Sequence, residues 1–125
     1  MTGYSVSIKE VSKELTAREK IMLKDTSNAI KLDSIVNGTE RATISPAYYA
    51  VLQIHNEKSE RPDYENYMIV DDAGTKYVTG SPSFWTAFKD IFDEMKEVDE
   101  PYCIEVYKLD SKNYKGKQFL TCSII

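Results

Sequence analysis

The fold is decided by residues 66–97, NYMIVDDAGTKYVTGSPSFWTAFKDIFDEMKE. Two runs of β-favouring residues flank the segment DDAG (71–74), a short glycine-containing turn, so the first half predicts a β-hairpin. The second half begins with Ser81 and Pro82, an N-cap residue followed by a proline at the first helical position. Together these signals predict a hairpin that leads directly into a helix over residues 81–97.

The predicted helix has an apolar stripe and an acidic face. Apolar residues recur at three- and four-residue intervals, which indicates packing on a sheet rather than a cofactor site. The stripe consists of Phe84, Trp85, Phe88, Ile91, Phe92 and Met95, and the acids that fall mostly on the other face are Asp90, Asp93, Glu94 and Glu97.

Strands are predicted on both sides of this segment. Residues 45–58, SPAYYAVLQIHNEK, favour a strand, although Ser45-Pro46 is also typical of a helix start. Residues 19–36 hold two short apolar runs and predict a long or bent first strand, followed by a turn at Asn37-Gly38. Residues 102–125, YCIEVYKLDSKNYKGKQFLTCSII, predict a strand, a lysine-rich loop and a second strand.

This order of elements predicts a mainly β protein. Residues 1–18 are polar without a strong period and predict an N-terminal arm, whereas residues 19–125 predict one domain. A single helix that enters late among strands is typical of an OB-fold, a five-stranded barrel with its helix between strands three and four. The alternative is an α+β sandwich with one helix packed on an open sheet.

The charge is unevenly distributed along the chain. Its net value of −4 argues weakly against a nucleic-acid partner, since phosphate contacts need lysine and arginine. Residues 90–105, however, contain seven acids and one lysine, whereas residues 106–119 contain four lysines and one aspartate. The chain also has nine tyrosines, which suit either binding surfaces or exposed sheet faces. The average charge therefore hides a cationic, aromatic-bearing segment.

The sequence contains no motif that requires catalysis. His55 is the only histidine, so we expect neither a metal site nor a catalytic triad. Asp71-Asp72 is interpreted as part of a turn rather than as a cation site. Cys103 and Cys122 predict reduced thiols. The first 15 residues lack the apolar run of a secretory leader and no apolar run is of membrane length, so we expect neither a leader nor a membrane span. We therefore expect a cytoplasmic protein that is not an enzyme and has no cofactor or metal.

The last predicted hairpin combines the two ingredients of sequence-tolerant single-strand binding, which are a positive groove and aromatic faces for base stacking. In an OB-fold this hairpin flanks the binding face. Its predicted DNA-binding residues are Tyr107, Lys108, Lys112, Tyr114, Lys115, Lys117 and Phe119, and earlier segments add Lys20, Lys24, Lys31, Arg41, Tyr67, Lys76 and Tyr77. The alternative is a lysine-rich turn whose charge only protects a sheet edge.

Residues 18–125 resemble the small single-stranded DNA-binding proteins of tailed bacteriophages. The resemblance rests on the DDAG turn, the Thr-Gly-Ser entry to the helix and the segment SKNYKGKQF (111–119). It implies an OB-fold that coats and protects single-stranded DNA during phage replication or recombination in the host cytoplasm. We also expect a monomer or homodimer, with phage or host replication and recombination proteins as further partners.

The acidic residues 90–105 motivate a second hypothesis. A phage-encoded inhibitor or interaction module would present the acidic helix face as a nucleic-acid mimic. Such a protein would bind a basic host protein and would not bind oligonucleotides.

Overall fold

The computed structural model describes residues 3–36, 39–58, 60–98, 100–111 and 116–125. This part of the chain is mainly β, as predicted, with eight strands and three helices. The strands are β1 (Tyr4–Val11), β2 (Ile30–Lys31), β3 (Ala42–Ile44), β4 (Pro46–Asn56), β5 (Asp63–Asp71), β6 (Lys76–Thr79), β7 (Ile104–Asp110) and β8 (Gln118–Ile124). The helices are α1 (Ala17–Lys24), α2 (Leu32–Ile35) and α3 (Pro82–Met95).

The strands form two sheets and, in the described ranges, no closed barrel. A five-stranded sheet has the order β1-β4-β5-β6-β2, and a three-stranded sheet has the order β3-β7-β8. In chain order, helix α3 follows the hairpin β5–β6 and precedes the last hairpin, as the sequence predicts. The mainly β class is therefore confirmed, whereas the five-stranded barrel with one helix is not.

The chain divides into two compact units. The first comprises Met1–Ile30 and Ala47–Gly80, and the second comprises Lys31–Pro46 and Ser81–Ile125. The buried core of the first unit includes Leu15, Leu23, Ala50, Leu52, Ile54, Met68, Val70 and Val78. Buried apolar residues of the second unit include Leu32, Val36, Ile44, Phe84, Phe88, Ile104, Val106 and Leu120.

The hairpin predicted from the DDAG segment is confirmed. Strands β5 and β6 pair from Tyr67↔Thr79 to Val70↔Lys76. At the turn, Asp71 Oδ1 accepts hydrogen bonds from the backbone N–H groups of Ala73 and Thr75 at 3.0 and 2.8 Å. Asp71 therefore stabilises the turn, as the sequence predicts, because an aspartate side chain can satisfy nearby backbone donors.

Helix α3 and its apolar stripe are also confirmed. Ser81 caps the helix by accepting a hydrogen bond from the Phe84 N–H at 3.3 Å. The Phe84 and Phe88 side chains are fully buried, with ring centroids 6.0 Å apart. Ser83 Oγ donates to the Leu120 carbonyl oxygen at 2.7 Å, which attaches the start of α3 to β8. The stripe is core, since it packs this helix on the three-stranded sheet.

The first 18 residues differ from the predicted polar arm. Tyr4–Val11 form β1, an edge strand that pairs antiparallel with β4 through Val6↔Ile54 and Ile8↔Leu52. Ser5, Ser7 and Lys9 are exposed between the half-buried apolar positions. Their alternation with Val6 and Ile8 is the period of a half-buried strand, so the sequence does carry the signal for β1.

The long first strand predicted over residues 19–36 is wrong. This region contains α1, the two-residue strand β2 and the short helix α2. Helix α1 begins with a capping box: the Glu19 N–H donates to Thr16 Oγ1 at 3.2 Å and the Thr16 N–H donates to Glu19 Oε1 at 3.0 Å. The apolar pair that suggested a strand, Ile21 and Met22, is exposed on this helix.

The strands predicted in residues 45–58 and 102–125 are confirmed as β4, β7 and β8. Gly116 has a φ of 80°, a backbone conformation that glycine adopts readily in turns. The predicted turn at Asn37-Gly38 lies outside the described residues.

Cys103 and Cys122 are free thiols, as predicted, and burial raises the pKa of Cys122 to about 12. None of the helices in the described ranges is long and apolar enough to span a bilayer.

Candidate nucleic-acid interface

The three-stranded sheet places two of the predicted aromatic residues on one surface. Along β7, Ile104 and Val106 are buried, whereas Tyr107 and Leu109 project from the opposite face because side chains alternate along a strand. Tyr107 is paired with Thr121, and Leu109 with Phe119. Tyr107 and Phe119 are thus diagonal cross-strand neighbours. We call the surface formed by residues 105, 107, 109, 119, 121 and 123 the outer face.

The end of the outer face nearest the loop is apolar and accessible. Leu109 is 45% exposed and Phe119 is 38% exposed, although both are large hydrophobic residues. Lys117, two residues before Phe119, is also exposed, and its carbonyl oxygen accepts the Ser111 N–H at 2.8 Å. An exposed aromatic ring therefore lies at the base of the segment SKNYKGKQF, close in sequence to a cation.

Tyr107 is fixed by contacts with two side chains. Its hydroxyl shares a hydrogen bond with Ser123 Oγ, and the guanidinium carbon of Arg41 lies 4.6 Å from the ring centroid. Arg41 also forms an ion pair with Glu105. This hydrogen bond with Glu105 is the main reason why the pKa of Arg41 is raised. One face of the Tyr107 ring is thus covered by an arginine that a carboxylate holds in place.

A cavity of about 240 Å³ opens beside β7. The ladder between β3 and β7 ends at the pair Ala42↔Val106, and the residues that precede β3 line the cavity together with the second half of β7. The lining residues are Thr39, Glu40, Arg41, Tyr107, Lys108, Leu109, Asp110 and Gln118. The cavity combines a stacked Arg–Tyr pair with charges of both signs.

No protein-family model matches the chain, and no curated protein or solved structure shows significant similarity to it. The resemblance to the bacteriophage single-stranded DNA-binding proteins therefore stays a hypothesis that rests on the residues quoted for it.

Lys76, a predicted DNA-binding residue of the first unit, has a structural role. Its Nζ donates to the carbonyl oxygens of Met22 and Asp25 at 2.7 and 2.6 Å. A cation at a helix C-terminus satisfies unpaired carbonyl groups and interacts favourably with the helix dipole. Lys76 thereby holds the end of α1 against β6.

The tyrosines predicted in the first unit are half-buried. The Tyr77 hydroxyl donates to Asp71 Oδ2 at 3.4 Å, and burial raises the pKa of both Tyr67 and Tyr77. Lys20 and Lys24 are exposed on α1. The structure thus gives Tyr77 a partner in its own hairpin and leaves the two α1 lysines accessible.

The remaining predicted residues differ in their surroundings. Lys31 is exposed in β2. Lys108 lies on the opposite face of β7 from Tyr107, and its Nζ donates to the Asp33 carbonyl oxygen at 3.0 Å. Lys112, Tyr114 and Lys115 lie outside the described residues. The DNA-binding set as a whole stays a prediction, with Tyr107 and Phe119 brought onto one face.

Sequence patterns miss five members of the cavity, which are Thr39, Glu40, Leu109, Asp110 and Gln118. No local motif marks them, because residue 40 approaches β7 only through the pairing of β3 with a strand that follows 60 or so residues later. Asp110 and Gln118 are cross-strand partners in the hairpin of β7 and β8. The alternation of apolar and polar residues, which predicts these two strands, is the one sequence signal that bears on their proximity.

The acidic face of α3 is partly neutralised. Lys89 and Lys96 both form ion pairs with Asp93, at 3.1 and 3.7 Å. Asp90, Glu94 and Glu97 are exposed. Towards its C-terminal end the helix therefore presents a mixed surface rather than a continuous row of uncompensated carboxylates.

His55 lies between two carboxylates of the first unit. Its Nδ1 is 2.7 Å from Asp63 Oδ1, and its Nε2 is 3.6 Å from Glu57 Oε1. The hydrogen bond to Asp63 is the main reason why the pKa of His55 is raised. Across the described ranges, no group of three or more His, Cys, Asp or Glu residues is arranged to hold a metal ion.

Proposed function

We propose that this protein binds single-stranded DNA, without strict sequence requirement, through the outer face and the lysine-bearing segment 111–117. The observation that carries the proposal is the exposed ring of Phe119 beside the fixed ring of Tyr107, on one face of the last hairpin. The resemblance to the bacteriophage single-stranded DNA-binding proteins adds a biological role to this proposal, the coating and protection of DNA during phage replication or recombination. It also adds an architecture, an OB-fold barrel.

Stacking supplies the part of the binding energy that distinguishes single strands from duplexes. Base–aromatic stacking contributes about 1–3 kcal/mol per base. Phe119 offers an accessible ring face, whereas Arg41 covers one face of Tyr107. We therefore assign the main stacking contact of the described residues to Phe119, with Tyr107 as a rigid neighbour that shapes the surface.

Lysines supply the contacts with phosphate. Lys117 is exposed two residues before Phe119, and Lys112 and Lys115 belong to the same segment. Each phosphate contact on a single strand adds about −0.7 to the slope of log affinity against log salt concentration. Three lysines acting together would therefore give a slope near −2.

The decisive experiment is a fluorescence-anisotropy titration with labelled oligothymidine at low and moderate salt. We expect binding that weakens with salt and that is stronger for the single strand than for a duplex, whose bases are stacked internally. Phe119→Ala should weaken binding about fivefold or more. Leu109→Ala is the matched control, because Leu109 is the exposed cross-strand partner of Phe119 but has no aromatic ring.

Absence of binding at low salt would refute the proposal. Equal losses in Phe119→Ala and Leu109→Ala would show that the apolar surface matters but that stacking does not. Binding to a basic protein in place of oligonucleotides would favour the nucleic-acid-mimic hypothesis.

A further inference from the structure

Strand β1 lies at one edge of the five-stranded sheet. It stands first in the order β1-β4-β5-β6-β2 and pairs with β4 in a regular register over residues 4–8. The Glu57 N–H donates to the Gly3 carbonyl oxygen at 2.8 Å, so these two residues form a hydrogen-bonded pair of the same register. Because hydrogen-bonded pairs alternate along an antiparallel ladder, the backbone N–H and C=O groups of residues 4, 6 and 8 point away from β4.

This stretch of the edge lacks the usual protection against pairing with another strand. Charged side chains, prolines and bulges protect sheet edges, but residues 4–8, YSVSI, contain no charge and no proline. The register shifts only beyond them, between Ile8 and Glu10. Lys9 Nζ donates to both carboxylate oxygens of Glu65 at 3.2 Å, and Glu65 lies on β5, two strands away. The lysine charge is therefore drawn over the face of its own sheet and away from the edge.

The two faces of β1 differ in polarity. Val6 and Ile8 pack against the core of the first unit, yet they stay half-buried because β1 is the outermost strand. Ser5 and Ser7 project from the opposite face and are exposed. An added strand would gain apolar contacts on one face and would meet hydroxyl groups on the other.

The stretch is self-complementary when two copies pair antiparallel around Val6. Residue 4 then lies opposite residue 8 of the second copy, and Val6 lies opposite Val6, so each outward-pointing backbone position meets another. Each of these pairs can exchange two hydrogen bonds. The same register sets Ser5 opposite Ser7 and brings no like charges together. A second copy of this chain therefore matches the edge in hydrogen bonding, polarity and charge.

We propose that the protein forms a symmetric dimer in which β1 pairs antiparallel with β1 of a second copy around Val6. The pairing joins the two five-stranded sheets into one continuous sheet across an isologous interface, the commonest kind in homo-oligomers. Strand pairing over so short a stretch gives a small interface, so the dimer is concentration-dependent. The inference goes beyond the proposed function and does not depend on it, because β1 belongs to the first unit and the outer face to the second.

Disulfide trapping tests the register. Residue 5 and residue 7 of the second copy form a non-hydrogen-bonded pair with Cα atoms about 4.5 Å apart, a separation that a disulfide spans. A mixture of Ser5→Cys and Ser7→Cys proteins should therefore form a mixed disulfide under mild oxidation, which mass spectrometry identifies. Each variant alone is the matched control, because residues of the same number lie diagonally at about 7–8 Å. The unaltered protein controls for Cys103 and Cys122.

Analytical ultracentrifugation measures the dissociation constant of the dimer. Ser5→Lys combined with Ser7→Lys sets lysine opposite lysine twice and should weaken the dimer by about tenfold. Ser5→Lys combined with Ser7→Glu turns both contacts into lysine–glutamate pairs and should restore it. Both serines are exposed, so circular dichroism should show unchanged folding in the two double variants.

Three outcomes would overturn the inference. A protein that stays monomeric at high micromolar concentration would do so, and would favour a strand of another protein as the occupant of this edge. A dimer with the same dissociation constant in both double variants would show that the interface lies elsewhere. A mixed disulfide no more abundant than the disulfides of the single variants would exclude the pairing around Val6.

Discussion

Under the proposed function, Glu105 would compete with DNA for Arg41, and its removal should strengthen DNA binding. Arg41 is 58% exposed in its side chain, lies over Tyr107 and is paired with Glu105, whose side chain is 24% exposed. In the unaltered protein, the Glu105 carboxylate is paired with the Arg41 guanidinium. In Glu105→Gln the guanidinium keeps its position on the tyrosine ring but loses its charged partner, so it becomes available to one phosphate of a strand on the outer face.

The magnitude follows from counterion release. One additional phosphate contact steepens the slope of log affinity against log salt by about 0.7. Over a fourfold rise in salt concentration, the affinity of Glu105→Gln should therefore fall by about 2.6-fold more than that of the unaltered protein. At low salt the variant should bind oligothymidine more tightly than the unaltered protein does.

The assay is the anisotropy titration at several salt concentrations, performed as a double-mutant cycle with Arg41→Gln. Glu94→Gln, which removes one exposed carboxylate from α3, controls for the change in net charge. The slope should steepen in Glu105→Gln and stay unchanged in Glu94→Gln. If Glu105→Gln has the same effect in the Arg41→Gln background, the carboxylate acts through general repulsion and the competition argument is refuted.

Three further predictions concern stability, titration and the lysine segment. Phe88→Ala should lower the free energy of unfolding by about 3–5 kcal/mol, because Phe88 is fully buried against the rings of Phe84 and Phe92. Phe92→Ala should lower it less, because Phe92 is half-buried. Urea unfolding measures both losses. NMR titration of His55 should give a pKa above 6.5, and this pKa should fall in Asp63→Asn. The stabilisation from protonated His55 should be complete below pH 6.5 and lost as the pH rises through the raised pKa. An unchanged pKa in Asp63→Asn would contradict the assigned hydrogen bond. Substitution of Lys112, Lys115 and Lys117 together by glutamine should weaken oligothymidine binding and flatten its salt slope by about 2, whereas Lys58→Gln should have little effect. A slope unchanged by the triple substitution would show that the segment is only a soluble turn.

The elements that the sequence predicts correctly are those with local causes. The Asp71 turn and the Ser81 cap act within a few residues of themselves, and the alternation of residues 102–107 reports directly on burial in β7. These signals sufficed for the β5–β6 hairpin, for α3 and for the last hairpin. The common face of Tyr107 and Phe119 follows only from the pairing of β7 with β8.

The elements that the sequence misses depend on competing or distant causes. Ile21 and Met22 look like part of a strand, but the capping box of Thr16 and Glu19 starts a helix that leaves both exposed. The division into two sheets depends on β3 joining β7, a pairing between residues 42–44 and 104–106. No local pattern predicts such a pairing, so the cavity residues also escape detection.

The tyrosine surplus illustrates why composition alone overstates the interface. Tyr49 is buried with its hydroxyl donating to Glu10 Oε2 at 2.7 Å, and Lys13 lies 4.3 Å from the centre of the Tyr48 ring. Tyr77 contacts Asp71 within its own hairpin. These tyrosines use their hydroxyl groups or ring faces for contacts within the first unit, which is a structural role rather than a binding role.

Local charge pairing would allow a chain with a net charge of −4 to attract a polyanion, as the proposed function requires. Exposed charges separated by more than about 8–10 Å are largely screened at ordinary salt, so the partners nearest each lysine and arginine matter more than the total. On the outer face the nearest carboxylate, Glu105, is already bound to Arg41, and on α3 Asp93 is bound by two lysines. Salt should therefore weaken two opposing contacts at once, the lysine–phosphate contacts and the hold of Glu105 on Arg41. The advantage of Glu105→Gln over the unaltered protein should accordingly be largest at low salt and should shrink as the salt concentration rises.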